Sequence, residues 1–404
     1  MLLPDHFEFI CPARTASGAK ALEHLPGDLG TLNARKPLII TDKRGTEKGL
    51  VGQVVKAFRT WGLTLGVYDG AGPEADMGTV KALYNLYLDR GFDAILALGS
   101  GATVDLAKVV NIAVSGRPED LARCQGVDGL AHPLNPFGFI PVAAGTAREC
   151  GGEVVFGDLY FNSRFLVPDL VTIDPRMLTD EDPLRLVSTA LAALTFAAEA
   201  YAGPRNPFVE SYAQLVIGFV FEHLLDEVRQ ARAEKRRTAR LTEGFSLKKG
   251  RLALVNAACM AGYVHANTSP GLAARLGTAI GHRSALDPAL AMGIVLPCVL
   301  EDHAHRQGCD LSRILRPMVG LERFAATPRP QRFVAAMARI RYLFNELFVL
   351  TEAVVPRTLE DAGLTRDALE AVAEAAAASD PAPDSPQVCR TILEHAFTGR
   401  PVAP

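Results

Sequence analysis

The stretch Phe92-Asp-Ala-Ile-Leu-Ala-Leu-Gly-Ser-Gly-Ala102 decides the fold class of this chain. Its apolar run, Phe92–Gly99, has the composition of a buried strand, and residues 103–113 continue with a helical pattern. The small residues at 99–101 allow backbone N–H groups to approach an anion at the start of that helix. The pattern is typical of a strand–turn–helix unit that binds a phosphate group, although a tight turn without a ligand has the same sequence.

Similar apolar runs lie on both sides of this unit, separated by amphipathic stretches such as Lys48–Trp61 and Met77–Arg90. The runs are Lys36–Asp42, Leu63–Asp69 and Phe137–Gly145. Strands that alternate with helices predict crossover connections and a parallel sheet. Because both faces of such a sheet are covered, its strands should be apolar throughout, as these largely are.

After Asp174-Pro175 the pattern changes, and Ala-rich helical segments replace the strand-like runs. The clearest are Arg185–Ala202, Pro207–Glu227, Leu247–His265 and Arg332–Leu350, followed by Leu359–Ala378. We therefore predict an α/β domain over residues 1–180 and an all-helical domain over residues 181–404. An active site is expected in a cleft between the two domains.

The composition excludes several classes of protein. The chain has 404 residues, 49% of them apolar and 22% charged, as is typical of a globular protein with a large core. Its net charge of −3 gives no electrostatic attraction for nucleic acid. We identify no apolar stretch of about 18 residues that would span a membrane and no signal peptide at the start. Seven scattered cysteines without a CxxC pair indicate reduced thiols and a cytoplasmic location.

A second turn of small residues, Ala143–Ala147, follows the fourth predicted strand. Ligands of open parallel sheets bind beyond the carboxyl ends of the strands, so two such turns point to one dinucleotide site. Asp42 ends the first strand, where an acidic residue suits a ribose diol and favours NAD over NADP, or caps a helix. The predicted cofactor-binding residues are Asp42, Gly99, Ser100, Gly101, Asp105, Lys108, Gly145 and Thr146.

These motifs resemble the iron-containing alcohol dehydrogenase family. Gly99–Lys108 is similar to the family's GGGSxxDxAK loop, Ala143–Glu149 to its TAGTGSE segment, and Leu166–Pro175 to its xxPDxxxxDP segment. Leu194–Tyr201 and Ala291–Pro297 resemble two helices near the family's metal site. The resemblance implies a Rossmann-like NAD(P)-binding domain and a helical domain, the dehydroquinate synthase-like fold, and a homodimer or larger assembly.

The chain departs from the family at the metal ligands. The family holds its metal with one Asp and three His, and the matching positions here are Ala192, Phe196, Ala274 and Pro288. None of these side chains can ligate zinc or iron, which need three or four N, O or S ligands. A further His of the family pattern is Thr278 in this chain. We therefore predict that no metal binds there.

Carbonyl reduction without a metal needs another group to polarise the oxygen and to supply a proton. The candidate catalytic residues are Arg148, Thr278 and His282, with Arg275 as a possible partner for an anionic substrate. The sequence thus predicts a metal-independent, NAD(P)-dependent oxidoreductase for a small aldehyde, ketone, oxo acid or alcohol. The alternatives are a non-redox enzyme of lyase or cyclase type and a non-catalytic nucleotide-binding protein.

Overall fold

The computed structural model describes residues 4–72, 75–143, 145–179, 182–236, 249–378 and 384–402. Ala144, within the second small-residue turn, lies outside the described residues. Contacts divide the chain into two compact units. The sheet unit comprises Ile10–Glu181 and Leu247–Ala266, and the helical unit comprises Met1–Phe9, Asp182–Ser246 and Asn267–Pro404.

A parallel sheet forms the centre of the sheet unit. In its described part the strand order is β1-β9-β6-β4-β2-β3, and every printed pair of neighbours is parallel. The predicted parallel α/β fold is confirmed. The strands are β1 (Arg14–Ser17), β2 (Pro37–Thr41), β3 (Gly66–Tyr68), β4 (Ala94–Gly99), β6 (Phe137–Pro141) and β9 (Leu170–Ile173).

Helices cover this sheet because their apolar faces need burial. Leu25, Leu29, Val54 and Phe58 pack with Leu96 of β4 in one buried core. The helices are α1 (Leu25–Thr31), α2 (Lys43–Glu47), α3 (Leu50–Arg59), α4 (Met77–Arg90), α5 (Ala102–Ser115), α6 (Leu121–Cys124) and α9 (Lys249–Ala266).

A small second sheet, in the order β5-β8-β7, was absent from the sequence prediction. Its strands are β5 (Gly126–Val127), β7 (Glu153–Phe156) and β8 (Leu159–Asn162). The tight turn between β7 and β8 consists of Gly157 and Asp158, and Gly157 has φ 58°. Strands of four residues are too short to show a clear periodic pattern. The feature of the sequence that could have predicted this hairpin is the Gly-Asp pair at its turn.

Helix α9 groups with the sheet unit although it follows residue 180. Its Tyr263 hydroxyl lies 2.8 Å from the Thr15 hydroxyl of β1, and Asn256 Nδ2 donates to Ser17 Oγ at 2.9 Å. In the helical unit, Asn206 Nδ2 donates to the carbonyl of Glu8 at 2.8 Å. Each unit thus includes one segment from the other side of the predicted boundary: Leu247–Ala266 in the sheet unit and Met1–Phe9 in the helical unit. The predicted domain boundary and the cleft stay predictions.

The helical unit is built from long helices, some of which contact each other closely at glycine residues. A Cβ on Gly277 would lie 2.3 Å from Met292, and one on Gly293 would lie 3.2 Å from Leu191, so glycine permits these contacts. The predicted helix over Leu359–Ala378 begins only at Ala368. The helices are α7 (Pro183–Glu199), α8 (Pro207–Arg236), α10 (Leu272–Gly281), α11 (Pro288–Arg306), α12 (Leu315–Val319), α13 (Leu321–Ala326), α14 (Arg329–Leu350), α15 (Ala368–Ala378) and α16 (Pro386–Thr398).

One segment corrects the sequence analysis. Within the described residues, Pro207–Ala233 of α8 is long and apolar enough to cross a membrane by length and composition. The expectation that no such stretch exists was therefore wrong. A single helix of this kind is weak evidence for a membrane span, because core helices of other proteins meet the same criterion.

Candidate active site

Two loops meet at the carboxyl ends of neighbouring strands in the sheet unit. Gly99 at the end of β4 pairs in register with Pro141 at the end of β6. The first loop leads directly into α5 at Ala102, and the second contains Gly145, Thr146 and the charged residues that follow. The sequence prediction had placed these two loops together, and the strand order explains why they are adjacent.

Glycine is required at two points of these loops. Gly101 has φ 53° and Gly145 has φ 79°, a region that residues with side chains rarely adopt. A Cβ on Gly145 would also lie 2.4 Å from the carboxylate of Glu149. The loops can therefore keep this path only with glycine at both positions.

The carboxylate of Glu149 ties the two loops together. Its Oε1 accepts hydrogen bonds from the amides of Gly101 at 3.0 Å and Thr146 at 2.7 Å. Its Oε2 accepts from the amide of Arg148 at 3.2 Å, and the residue is 6% exposed. These amides are thus satisfied by the protein, and an anion at this edge would bind other N–H groups at the start of α5.

Two predicted cofactor residues on α5 lie deeper than expected. Lys108 is 1% exposed, and its Nζ donates to the carbonyls of Gly151 at 2.8 Å and Glu153 at 3.3 Å. Burial lowers the pKa of Lys108 and raises that of Asp105 to about 7, although their opposite charges counteract both shifts. The contacts give Lys108 the role of holding the second loop, and its direct contact with a cofactor stays a prediction.

Asp42 has the second of the two roles weighed for it. Its Oδ1 accepts from the amide of Gly45 at 2.9 Å and caps α2. A carboxylate has a further oxygen, so recognition of a ribose diol stays a prediction. Ser100 stands in the turn before α5 and precedes Gly101.

A buried charged cluster lies directly after the second loop. Glu153, the first residue of β7, accepts from His265 on α9, with 3.2 Å between Oε2 and Nε2. Arg148 Nη1 lies 3.6 Å from the same oxygen, and the Tyr160 hydroxyl also bonds to Glu153. We call Arg148, Glu153, Tyr160 and His265 the histidine cluster.

The histidine cluster contains a carboxylate that stays charged. Burial alone would raise the pKa of Glu153, but the hydrogen bond and charge of His265, with Arg148 and Tyr160, lower it to about 2. The neighbouring carboxylate in turn raises the pKa of Tyr160, together with burial, to about 12. Of these four residues, the sequence analysis names only Arg148. Glu153 and Tyr160 lie on the hairpin that it does not predict, and no sequence motif marks His265.

The other two catalytic candidates belong to the helical unit. Thr278 Oγ1 donates to the Ala274 carbonyl at 2.9 Å along α10, and His282 is an exposed residue at the end of that helix. Arg275 donates to Asp384 at 2.9 Å with a side chain only 8% exposed. Their contacts are local to this unit, and a catalytic role for Thr278 and His282 stays a prediction.

Comparison with known proteins shows which family the chain resembles. Residues 12–175 match the model of the iron-containing alcohol dehydrogenases. Long-chain-alcohol dehydrogenase 1 of Geobacillus thermodenitrificans is 25% identical over 412 residues, which cover 98% of each chain. Lactaldehyde reductase of Escherichia coli K12 is 30% identical over 192 residues, covering 46% of this chain and 50% of that one. The structure of a 1,3-propanediol oxidoreductase has a TM-score of 0.80 at 22% identity and covers 97% of this chain and 100% of that one.

The predicted resemblance to the iron-containing alcohol dehydrogenase family is confirmed, because residues 12–175 match its model. The relatives that the chain resembles are alcohol dehydrogenases and a lactaldehyde reductase. The predicted fold is confirmed at this level as well, because the similarity to the 1,3-propanediol oxidoreductase extends over almost the whole chain.

The residues that the resemblance assigns to the family's metal positions have side chains without ligating atoms. Ala192 and Phe196 of α7 and Ala274 of α10 are 2%, 5% and 5% exposed, and none has a donor atom in its side chain. Pro288 begins α11 and contacts Gly281, where a Cβ would lie 2.4 Å from its ring. Over the described ranges, no group of three His, Cys, Asp or Glu side chains is arranged to hold a metal.

Proposed function

We propose that this protein is an NAD(P)-dependent oxidoreductase that interconverts a small aldehyde, ketone or oxo acid with the alcohol and needs no metal ion. Similarity to the alcohol dehydrogenases supports the reaction class. The observation that carries the proposal is the pair of glycine-containing loops at the ends of β4 and β6, followed by the histidine cluster. This arrangement sets charged and hydrogen-bonding groups beside a turn suited to a dinucleotide.

The chain's own residues suggest how the cofactor binds. The turn Gly99–Gly101 and the first amides of α5 would hold the diphosphate, since these N–H groups have no acceptor within the helix. Thr146 borders the same turn, because a Cβ on Gly101 would lie 3.8 Å from its methyl group. Asp42 favours NAD over NADP by its charge. When bound, the nicotinamide supplies or accepts the hydride.

Metal independence is supported by the chemistry of the side chains that the resemblance assigns to the family's metal positions. Three are buried and apolar and the fourth is a proline, so they provide no ligand for zinc or iron. The proposed reaction therefore uses no metal ion. Polarisation of the carbonyl oxygen has to come from hydrogen-bond donors or cationic side chains.

The location and the binding partners of the protein are proposals of the same kind. We propose a small-molecule substrate, a cytoplasmic location, no binding to nucleic acid or membranes, and a homodimer. The net charge of −3 supports the absence of nucleic-acid binding. Size-exclusion chromatography with light scattering would test the dimer, since a monomer at working concentration contradicts it.

One observation favours the alternative of a non-catalytic relative. Glu149 already occupies the amides of Gly101 and Thr146, and its negative charge lies where a diphosphate would approach. A protein that had lost its cofactor could keep this contact as a purely structural one. Nucleotide binding separates the two functions.

The test is a fluorescence titration of NADH and NADPH onto protein stripped of metal and checked for metal content. We expect saturable binding, with NADH bound more tightly. Gly101→Ala should weaken it because φ 53° is strained for alanine, whereas Gly52→Ala, on an exposed face of α3, should leave it unchanged. Absence of binding of both nucleotides up to millimolar concentration would sink the dehydrogenase proposal.

A further inference from the structure

The imidazole of His265 is held from one side by a buried carboxylate. Its Nε2 lies 3.2 Å from Glu153 Oε2, and the two side chains are 9% and 15% exposed. The two residues come from different elements, α9 and β7, so the chain has to fold to bring them together. Proteins rarely bury such groups without a partner or a function, because desolvating them costs free energy.

Several charged groups surround this pair, and they define its electrostatic environment. The loop contributes Arg148, 3.6 Å from Glu153 Oε2, and β8 contributes the Tyr160 hydroxyl. Lys108 on α5 donates to the backbone carbonyl of Glu153. Two further acidic residues, Asp105 on α5 and Glu149 in the second loop, add negative charge near this pair. The backbone of Glu153 is thereby fixed by a lysine while its carboxylate faces the histidine.

A carboxylate fixed beside an imidazole has a known physical consequence. It selects the tautomer with the proton on the nearer nitrogen and orients the ring. The other nitrogen, Nδ1, is then the one that would exchange a proton with a substrate. Arg148 places a positive charge near the same carboxylate oxygen.

We propose that His265 is the proton donor in carbonyl reduction by this protein, and that Glu153 and Arg148 are its positioning residues. This inference rests on the proposed function. A bound dihydronicotinamide would supply the hydride, with its two electrons, for the new C–H bond and would itself be oxidised. As the carbonyl π bond breaks, His265 gives its Nδ1 proton to the carbonyl oxygen. The neutral imidazole is reprotonated from solvent, and in alcohol oxidation it accepts the proton instead.

The proposal explains how the reaction proceeds where the family's metal positions are apolar. General acid catalysis by one positioned side chain typically contributes about 10²- to 10⁴-fold in rate. The group is supplied by the sheet unit, which also contains the predicted cofactor turn. Loss of ligands from the helical unit would therefore leave the proton donor intact.

The experiment compares His265→Gln, Glu153→Gln and Arg148→Gln with wild type and with His132→Gln, an exposed control in the same unit. NADH and NADPH oxidation is followed with propanal, lactaldehyde and glyoxylate from about pH 5 to 9, a range that brackets histidine titration. Nucleotide binding and thermal unfolding are measured on each variant. These two readouts identify a variant that has lost its structure.

We expect His265→Gln to lower kcat by about 100-fold or more with nucleotide affinity unchanged, and His132→Gln to have no effect. Carbonyl reduction should decline as pH rises and the donor loses its proton. Glu153→Gln removes a negative charge and should shift this decline to lower pH, whereas Arg148→Gln removes a positive charge and should shift it to higher pH. A residue that only stabilises the fold would not produce opposite shifts.

Other outcomes separate a failure of this inference from a failure of the proposed function. If wild type reduces a carbonyl and folded His265→Gln does so with the same kcat and pH profile, His265 is not the donor and the proposed function stands. Should His265→Gln fail to fold, unshifted pH profiles of Glu153→Gln and Arg148→Gln would overturn the proposal. If wild type oxidises neither nucleotide with any of the three carbonyl compounds, the proposed function fails, and this inference fails with it.

Discussion

The metal positions of the helical unit and the histidine cluster of the sheet unit differ in how they treat charge. Ala192, Phe196 and Ala274 are buried, apolar side chains packed among others of the same kind. In the histidine cluster, the Glu153 and His265 side chains are 15% and 9% exposed and that of Arg148 is 32% exposed, and each charged group has a partner. The side chains of the first region offer no ligating atoms, whereas those of the second form a connected polar network.

The difference indicates which of the two units has side chains that can take part in a reaction. Removing a set of buried ligands and filling the space with apolar groups also removes a desolvation cost, so the fold survives. A buried network persists only while its members satisfy one another. The network therefore marks the sheet unit as the place to look for catalysis.

The largest effect is expected from restoring one acidic residue at a metal position. Ala192→Asp should destabilise the protein by about 4 kcal/mol, because a buried carboxylate without a partner is costly. Added zinc or iron should not raise its unfolding temperature, since the other three positions offer no ligand. Denaturant unfolding with and without metal measures both effects.

Ala338→Asp is the matched control, on an exposed face of α14. It should cost only about 0.5 kcal/mol, from helix propensity. Stabilisation of Ala192→Asp by zinc would mean that ligands remain near α7, and the contrast between the two regions would be lost.

A buried acid near these positions gives a pH-dependent prediction. Glu199 Oε1 accepts from the amide of Ala273 at 2.6 Å, and burial raises the pKa of Glu199 to about 7 from its ordinary 4.5. The folded state thus favours the protonated form, so its contribution to stability is full below about pH 4.5 and is lost as pH rises through 7. Relative to Glu199→Gln, wild type should lose about 3 kcal/mol between pH 4.5 and 8.

Denaturant unfolding across this pH range checks the expectation for Glu199. Glu222→Gln, at an exposed position of α8, is the control and should leave the pH dependence of wild type unchanged. Parallel stability curves for wild type and Glu199→Gln would show that the buried carboxyl titrates normally.

A smaller effect is expected from Lys108, which fixes the loop before the histidine cluster. Lys108→Met keeps the length of the side chain but removes the donor to the carbonyls of Gly151 and Glu153. Losing these bonds, offset in part by the relief of a buried charge, should cost about 2 kcal/mol. Lys81→Met, at an exposed position of α4, is the control and should change the free energy of unfolding little. Equal losses of stability in both variants would contradict the positioning role of Lys108.

Much of the fold was predictable because the deciding signals were local. The apolar runs before Asp42 and Gly99 are strands of the parallel sheet, and the turn at 99–101 leads into α5 as expected. The short strands β1, β7 and β8 were missed because four residues with mixed burial carry no clear period.

The site was less predictable, because its contacts join residues that are distant in the sequence. Glu153 and His265 are 112 residues apart, and no motif links them. Lys108 matched a cofactor motif, yet its ammonium is directed to the carbonyls of a loop. Only the packing of α9 against the sheet unit brings these groups together.

The measurement that tests the central claim most directly is the metal dependence of turnover. Wild-type protein is treated with a chelator, its metal content is determined by mass spectrometry, and NAD(P)H oxidation by the carbonyl panel is recorded before and after addition of Fe²⁺ or Zn²⁺. We expect carbonyl-dependent turnover in the metal-free sample and no increase when metal is returned. Turnover that disappears on chelation and returns with Fe²⁺ or Zn²⁺ would contradict the account.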